Sequence, residues 1–487
     1  MFTRRPPRVE PGASDVERSD GVLPGGPTDR QPQTPARENA LKVVWALAWP
    51  AVVLNSLQVV NNLLDTGFVG QLDQASTVAY GGVMPIGFFF FSIGFALATA
   101  ATAMVSRAFG AGDADGCRTA CRKVLGVTAV LGLVAAFAMV AAARPASHLM
   151  LPDADGDAGR LMVGYLILYA IGLPAHYVIL TLAGSLRGIG DTRSPMVISG
   201  MQIVLHIALN YILIFPSHTL GGVTIPGFDL GLAGAGASIT ISAWFSASVY
   251  LLFVTRTPLG RQWNLSWPEA PWVRRVMSVS VPAAMMSLLR VASLTAFMLV
   301  LRYVPDSEAA ISAVRPAFSI ESMMFMPAFG LSAAAAALVG QSLGMRRPDR
   351  AEKLGWVAAH SSAVVTLLLC APIFLFAQPI MDVMLPGKPE AAHQAALLLQ
   401  WLCVTEVGFS YAMVLIGAMQ GAGDTVRPLW ITIFSLWVLR VPLAWALAIP
   451  FGFGAQGAWA AMSISQFIQG ILAVWIFRQG RWKLREV

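Results

Sequence analysis

With 487 residues, 56% of them hydrophobic, only 12% charged and a mean hydropathy of +0.65, the chain has too little polar surface for a soluble globule of its size. The net charge of +7 suits a face turned to anionic membrane lipid and argues against a nucleic-acid partner. The class that remains is an all-α polytopic membrane protein.

Residues 1–40 are rich in Pro, Gly, Arg, Asp and Ser and hold few apolar clusters, so they read as a disordered cytoplasmic tail. The first apolar stretch is long enough to span, and no short apolar core with a small-residue cleavage site precedes it, so no cleaved signal peptide is expected. Twelve apolar segments follow, near 44–67, 79–105, 123–144, 161–186, 195–216, 232–255, 276–302, 310–340, 356–378, 395–419, 428–450 and 455–478. Each has about 20 residues or more, enough to cross a hydrocarbon layer of ~30 Å as a helix. Of the 33 Lys and Arg residues, 26 fall in the two tails and the alternate connections near 107–123, 187–193, 256–275, 346–353 and 427. The positive-inside rule then places both termini in the cytoplasm of a multi-pass protein of the cell inner membrane.

One stretch occurs twice. Leu186-Arg187-Gly188-Ile189-Gly190-Asp191-Thr192-Arg193-Ser194-Pro195 returns as Met419-Gln420-Gly421-Ala422-Gly423-Asp424-Thr425-Val426-Arg427-Pro428, 233 positions on. It reads as a tight turn between apolar helices: Gly188, Gly190, Gly421 and Gly423 end one helix, Asp191 and Asp424 cap the next, and Pro195 and Pro428 sit in its first turn. Pro50 and Pro282, Gly110 and Gly344, and Gly231 and Gly454 extend the repeat. Six spans separate equivalent points, so two six-helix lobes share one orientation, as in parallel-repeat transporters. The implied organisation is a first lobe over 41–256, a cytoplasmic linker over 257–275, a second lobe over 276–480 and a cytoplasmic tail over 481–487.

These residues resemble the multidrug and toxic compound extrusion (MATE) transporters. The resemblance rests on the two glycine-aspartate stretches, on Val339-Gly340-Gln341-Ser342-Leu343-Gly344, on Leu64-Asp65-Thr66 and on Arg440-Val441-Pro442-Leu443, and it covers about 40–480. It implies a V-shaped pair of six-helix lobes that exports organic, often cationic, compounds in exchange for sodium ions or protons.

An ionisable side chain at membrane depth is costly and is a functional candidate by default. Asp65, after Asn61 and Asn62 near the non-cytoplasmic end of span 1, matches the acid that the family uses for coupling. In span 5 the family often shows two amide or acidic residues four apart; here they read His206 and Asn210, on one helical face. The histidine either takes the proton itself or donates a hydrogen bond in place of the family amide. In the second half Glu321 and Glu406 are flanked by apolar residues, and Arg290 and Arg440 are the available cations, either as their ion-pair partners or with a direct part in ligand binding. A sodium-coupled branch of the family carries an acid where this chain has Arg290 and another near Phe409; their absence favours protons and the first lobe. Gln58, Met323, Met324 and Gln341 are expected to line the substrate cavity.

No cofactor is expected beyond the coupling ion, and no metal site, since the four cysteines form no C-x-x-C pair. The expected partners are small-molecule substrates and membrane lipids, bound by a monomer. An enzyme would need a polar cluster, and His148, His176, His218, His360 and His393 are scattered without a metal-binding spacing. The closer rival is a flippase-like exporter of a lipid-linked or polar metabolite. Acids in both halves and only two deep arginines favour cations over polyanions.

Overall fold

A computed structural model describes residues 39–485 except 152, 221–222, 261–266, 268 and 306. The tail expected over 1–40 lies outside the described residues, save for its last two. Among the described residues twelve helices are long and apolar enough to cross a membrane: α1 (Ala40–Val69), α2 (Gln74–Gly110), α3 (Ala114–Met150), α4 (Asp157–Gly188), α5 (Arg193–Ile214), α6 (Gly231–Thr255), α7 (Ala270–Leu301), α8 (Ser307–Gly344), α9 (Pro348–Leu375), α11 (Pro389–Gly421), the composite span α12 (Val426–Ile433) to α13 (Val441–Ala448), and α14 (Gly454–Arg478). The chain is a multi-pass membrane protein of two six-helix lobes. Helices satisfy their own backbone groups, which is what hydrocarbon requires.

Their starts follow the local chemistry. Asn39, Asp73 and Asp113 accept hydrogen bonds from the first-turn amides of Lys42, Ser76 and Gly116, and proline occupies the first turn of α7, α9 and α11.

Four features depart from the expected pattern. The connection after α5 is an antiparallel hairpin, β1 (Pro216–Leu220) with β2 (Val223–Phe228), in which Pro216 faces Phe228. A short helix, α10 (Ala377–Met384), precedes α11. The eleventh span passes through a π-helical segment, Phe434–Arg440. The inter-lobe linker is shorter than 257–275, because α7 begins at Ala270, beyond its apolar core, and the carboxyl tail packs: Trp482 is fully buried and stacks on Phe477, with ring centroids 4.6 Å apart.

The lobes meet along α1 with α8 and α2 with α7. Val44 and Ala48 of α1 share a buried cluster with Leu331, Ala334 and Leu338 of α8, and Ala96 of α2 one with Ala283 and Met286 of α7. The tightest approach is at the end that carries the basic connections. A Cβ on Gly110 would meet the Gln341 carbonyl carbon at 2.7 Å, and one on Gly344 would meet the Ala111 nitrogen at 3.0 Å, so backbone lies on backbone. Gln341 Nε2 donates to the Gly188 carbonyl at 2.9 Å and Arg107 Nη2 to the Ala422 carbonyl at 3.1 Å, each bond crossing between lobes. Towards the other end large side chains are exposed on the facing helices, among them Leu63, Phe88, Phe89 and Met323.

Gly110→Val should therefore hold the basic end apart, at an overpacking cost of about 1–3 kcal/mol. All four native cysteines are buried, so Ser106→Cys, at this interface, gives a single reactive thiol. A water-soluble maleimide should label it several-fold faster when Gly110→Val is also present; equal rates would show that the glycine contact does not govern closure.

Candidate functional site

The densest polar cluster lies inside the first lobe. Along α5 the buried positions include Ile203, His206, Asn210 and Ile214, spaced as one helical face, so the two polar residues point inward together. Asp65 stands one turn before the end of α1, its side chain 14% exposed, and His206 is 6% exposed. His206 Nε2 lies 2.9 Å from Asp65 Oδ1, Asn210 Nδ2 donates to the same oxygen at 2.7 Å, and Asn61 Nδ2 donates to Oδ2 at 3.2 Å. Behind them Ser238 of α6 stands 3.3 Å from His206 Nδ1 and donates a short hydrogen bond to Asn210 Oδ1. Tyr80 of α2 and Tyr165 of α4 close a cavity of roughly 10 Å³ against Asp65, room for about one water.

Asp65 thus has three polar neighbours: Asn210 and Asn61 donate to it, His206 Nε2 lies against Oδ1, and Asn210 Nδ2 also lies 3.2 Å from His206 Nε2. The Ser238 hydroxyl has two acceptors in reach, Asn210 Oδ1 and the Ala235 carbonyl at 3.0 Å, besides its contact with His206 Nδ1, where either atom can be the donor.

Two of the second-lobe candidates take neutral partners. Glu321 accepts from Gln466 Nε2 at 3.2 Å, and Arg440 Nε donates to Ser465 Oγ at 2.8 Å. Arg290 lies over the Phe409 ring, 5.9 Å from its centroid. Among the described residues no carboxylate lies within ion-pair distance of either arginine, and both oxygens of the fully buried Glu406 lack a hydrogen-bond partner. The reason is local: α14 supplies Ser465 and Gln466 side by side, and each neutral group takes one of the charged ones.

Of the residues assigned to the cavity, Gln58 and Met323 are exposed. Met324 instead lies fully buried, with the Cys370 and Cys403 thiols 3.5 and 3.7 Å from its sulfur, one step round α8 from Met323. Gln341 is spent on the lobe contact. In the repeated turns Gly190 and Gly423 adopt φ of +88° and +83°, open to glycine at little cost. Asp191 accepts from the Ser194 amide at 2.9 Å, and Asp424 accepts from the Arg427 amide and pairs with its guanidinium. Pro195 and Pro428 are buried in the turns that follow, while Gly188 and Gly421 pack against the other helices of the closure. Ser238 and Tyr80 escaped the sequence reading. Ser238 stands in a glycine-alanine-serine run that reads as plain helix packing, and its tie to His206 spans two helices.

Comparison with known proteins fits this architecture. The MatE family model matches twice, over residues 50–212 and 282–446, once in each lobe. A probable multidrug resistance protein NorM of Thermotoga maritima is 26% identical, over 91% of this chain and 93% of its own length. A second, from Bradyrhizobium diazoefficiens, is 26% identical over 92% and 96%. A solved structure described as MATE in complex with MaL6 superposes with a TM-score of 0.83 at 22% identity, covering 90% of this chain and 96% of the other. With the family model covering more than half of its residues, the chain belongs to the MatE family of multidrug and toxic compound extrusion transporters.

Proposed function

We propose that the protein is a secondary antiporter that exports lipophilic small molecules, cationic ones first among them, in exchange for protons taken up at Asp65. The 2.9 Å contact between Asp65 and His206, a carboxyl group and an imidazole held together between helices, carries this reading. The names of the NorM relatives support the class of cargo, and the lysine and arginine asymmetry supports an inner-membrane protein with both termini in the cytoplasm. In this reading the chain works as a monomer and needs no cofactor besides the coupling ion. The closure at the basic end then makes the structure one in which substrate would leave away from the cytoplasm. Protonation of Asp65 would remove an acceptor from Asn61, Asn210 and His206, rearrange α1 and favour release outside.

Proteoliposomes loaded with a fluorescent cationic dye test the idea. An imposed proton gradient should drive dye movement in the native chain, Asp65→Asn should lower it at least tenfold, and His206→Gln should flatten its dependence on pH. Movement driven by sodium alone would overturn proton coupling. Movement under neither gradient would bring forward the flippase-like exporter.

Two further expectations concern stability. Ser238→Ala leaves both Asn210 Oδ1 and His206 Nδ1 short of a partner and should cost about 1–3 kcal/mol, seen as a lower Tm. Glu406→Gln removes a group that makes no ion pair, so the Tm should hold. If Glu406 were a buried partner of Arg290 or Arg440, the change would cost about 3–5 kcal/mol.

A further inference from the structure

The second lobe holds a cavity of about 390 Å³ between α7 and α8, towards the end away from the basic connections. Its walls are apolar, with Leu294 and Met298 of α7 facing Ile311, Val314 and Phe318 of α8. Among the described residues the only charged one lining it is Arg315. The Ser319 and Ser322 hydroxyls donate to the carbonyls of Arg315 and Phe318, which leaves their oxygens free to accept. Along α7 the spacing Arg290, Leu294, Met298 is one helical face, so a second guanidinium stands one turn beyond the cavity wall, against the Phe409 ring. Phe325, one turn past Ser322 on α8, meets Phe409 edge-on at 6.4 Å and continues the aromatic floor.

Neither guanidinium has a hydrogen bond or ion pair from its side chain among the described residues. The other charged groups within the middle of this lobe's spans are engaged or enclosed: Glu321 accepts from Gln466, Arg440 donates to Ser465, and Glu406 is fully buried. Arg290 stands at membrane depth, where an unpaired cation is costly, and Arg315 is exposed beside the cavity; a guanidinium is shaped to take a carboxylate, sulfonate or phosphate through two parallel hydrogen bonds. We infer that the α7–α8 cleft binds an amphiphilic anion, its apolar body between Leu294, Met298 and Phe318 and its acidic head at a guanidinium, Arg315 or Arg290. The inference does not rest on proton-coupled export. The same chemistry is offered by a transported lipophilic acid and by an anionic phospholipid.

The test uses the full chain in phosphatidylcholine nanodiscs, with a dansyl-labelled undecanoic acid and the matching dansyl-labelled alkylamine as probes. The acid should bind saturably and the amine at least tenfold more weakly. Arg290→Gln and Arg315→Gln should together weaken the acid at least tenfold, Arg290→Lys should recover part of the loss, and Leu294→Trp should block binding without touching a charge. Because Arg290 has only the Phe409 ring contact and no ion pair to lose, Arg290→Gln should melt close to the native chain, which separates a ligand contact from a folding role. Equal binding of acid and amine, unchanged affinity in the double variant, or a Tm several degrees lower in Arg290→Gln would overturn the proposal. Two outcomes that support the site tell its occupants apart. Displacement of the probe by phosphatidylglycerol, without gradient-driven probe movement in liposomes, marks a resident lipid, whereas gradient-driven movement lost in the double variant marks cargo.

Discussion

A carboxylate among apolar helices must be met by donors or carry a proton, and the first lobe is built around that requirement. Five helices contribute to its answer, α4 through Tyr165. Asn61 comes from the same helix as Asp65, His206 and Asn210 from α5, Ser238 from α6, and Tyr80 closes the cavity from α2. Each amide and hydroxyl in the chain from Ser238 to Asp65 is oriented by the next, so a change in charge at one end alters what every member can donate or accept.

The internal duplication isolates this network as one unit. Counted from the paired prolines and glycines, Asp65 corresponds to Phe297, His206 to Leu439, Asn210 to Leu443 and Ser238 to Ala461. All four polar members are apolar in the second lobe, where Phe297, Ala461 and Leu443 join one core cluster with Trp459. Removing one partner of a buried hydrogen bond leaves the other unsatisfied, whereas replacing all of them with apolar groups is close to neutral. The second lobe has taken the complete exchange and placed its charged groups elsewhere. Arg290 stands eight residues after Pro282, where Gln58 stands eight after Pro50, and Glu321 and Glu406 lie on helices that carry no acid at the matching points of the first lobe, Gly87 and Leu173. Two lobes of one architecture thus offer different chemistry to whatever lies between them.

Much of this was legible in the sequence because membrane helices announce themselves locally. Length, hydropathy and the glycine-aspartate repeat are properties of continuous segments, and the spacing of His206 and Asn210 suffices to put both on one face of α5. What stayed hidden depends on neighbours distant in sequence. Ser238 looks like any small helix residue until α5 lies beside it, and Gln341 looks like a cavity amide until the Gly188 carbonyl is found 2.9 Å away. Charge alone left open whether Glu321 and Glu406 pair with Arg290 and Arg440 for a related reason: the partners that Glu321 and Arg440 take, Gln466 and Ser465 on α14, are uncharged and give no such signal. The π-helical segment Phe434–Arg440 likewise carries no proline or glycine to mark it.

Helix α1 links the two halves of the mechanism. Its outer end holds Asp65 in the polar network, and its inner end packs Val44 and Ala48 against α8, with Val52 so close to Gly330 that a Cβ there would meet the Val52 nitrogen at 2.7 Å. Between the Asp65 site and the innermost of these contacts lies Pro50, which has no amide to offer the Ala46 carbonyl, so the helix is softest where it passes from one lobe's chemistry to the other lobe's surface. The same proline recurs at Pro282 in α7, which packs on α2 through Ala283 and Met286. A rearrangement of the part of α1 around Asp65 would therefore act on the α1–α8 contact first. The α2–α7 contact, which carries no polar network of its own, would follow as the lobes turn about the glycine-lined closure at Gly110 and Gly344.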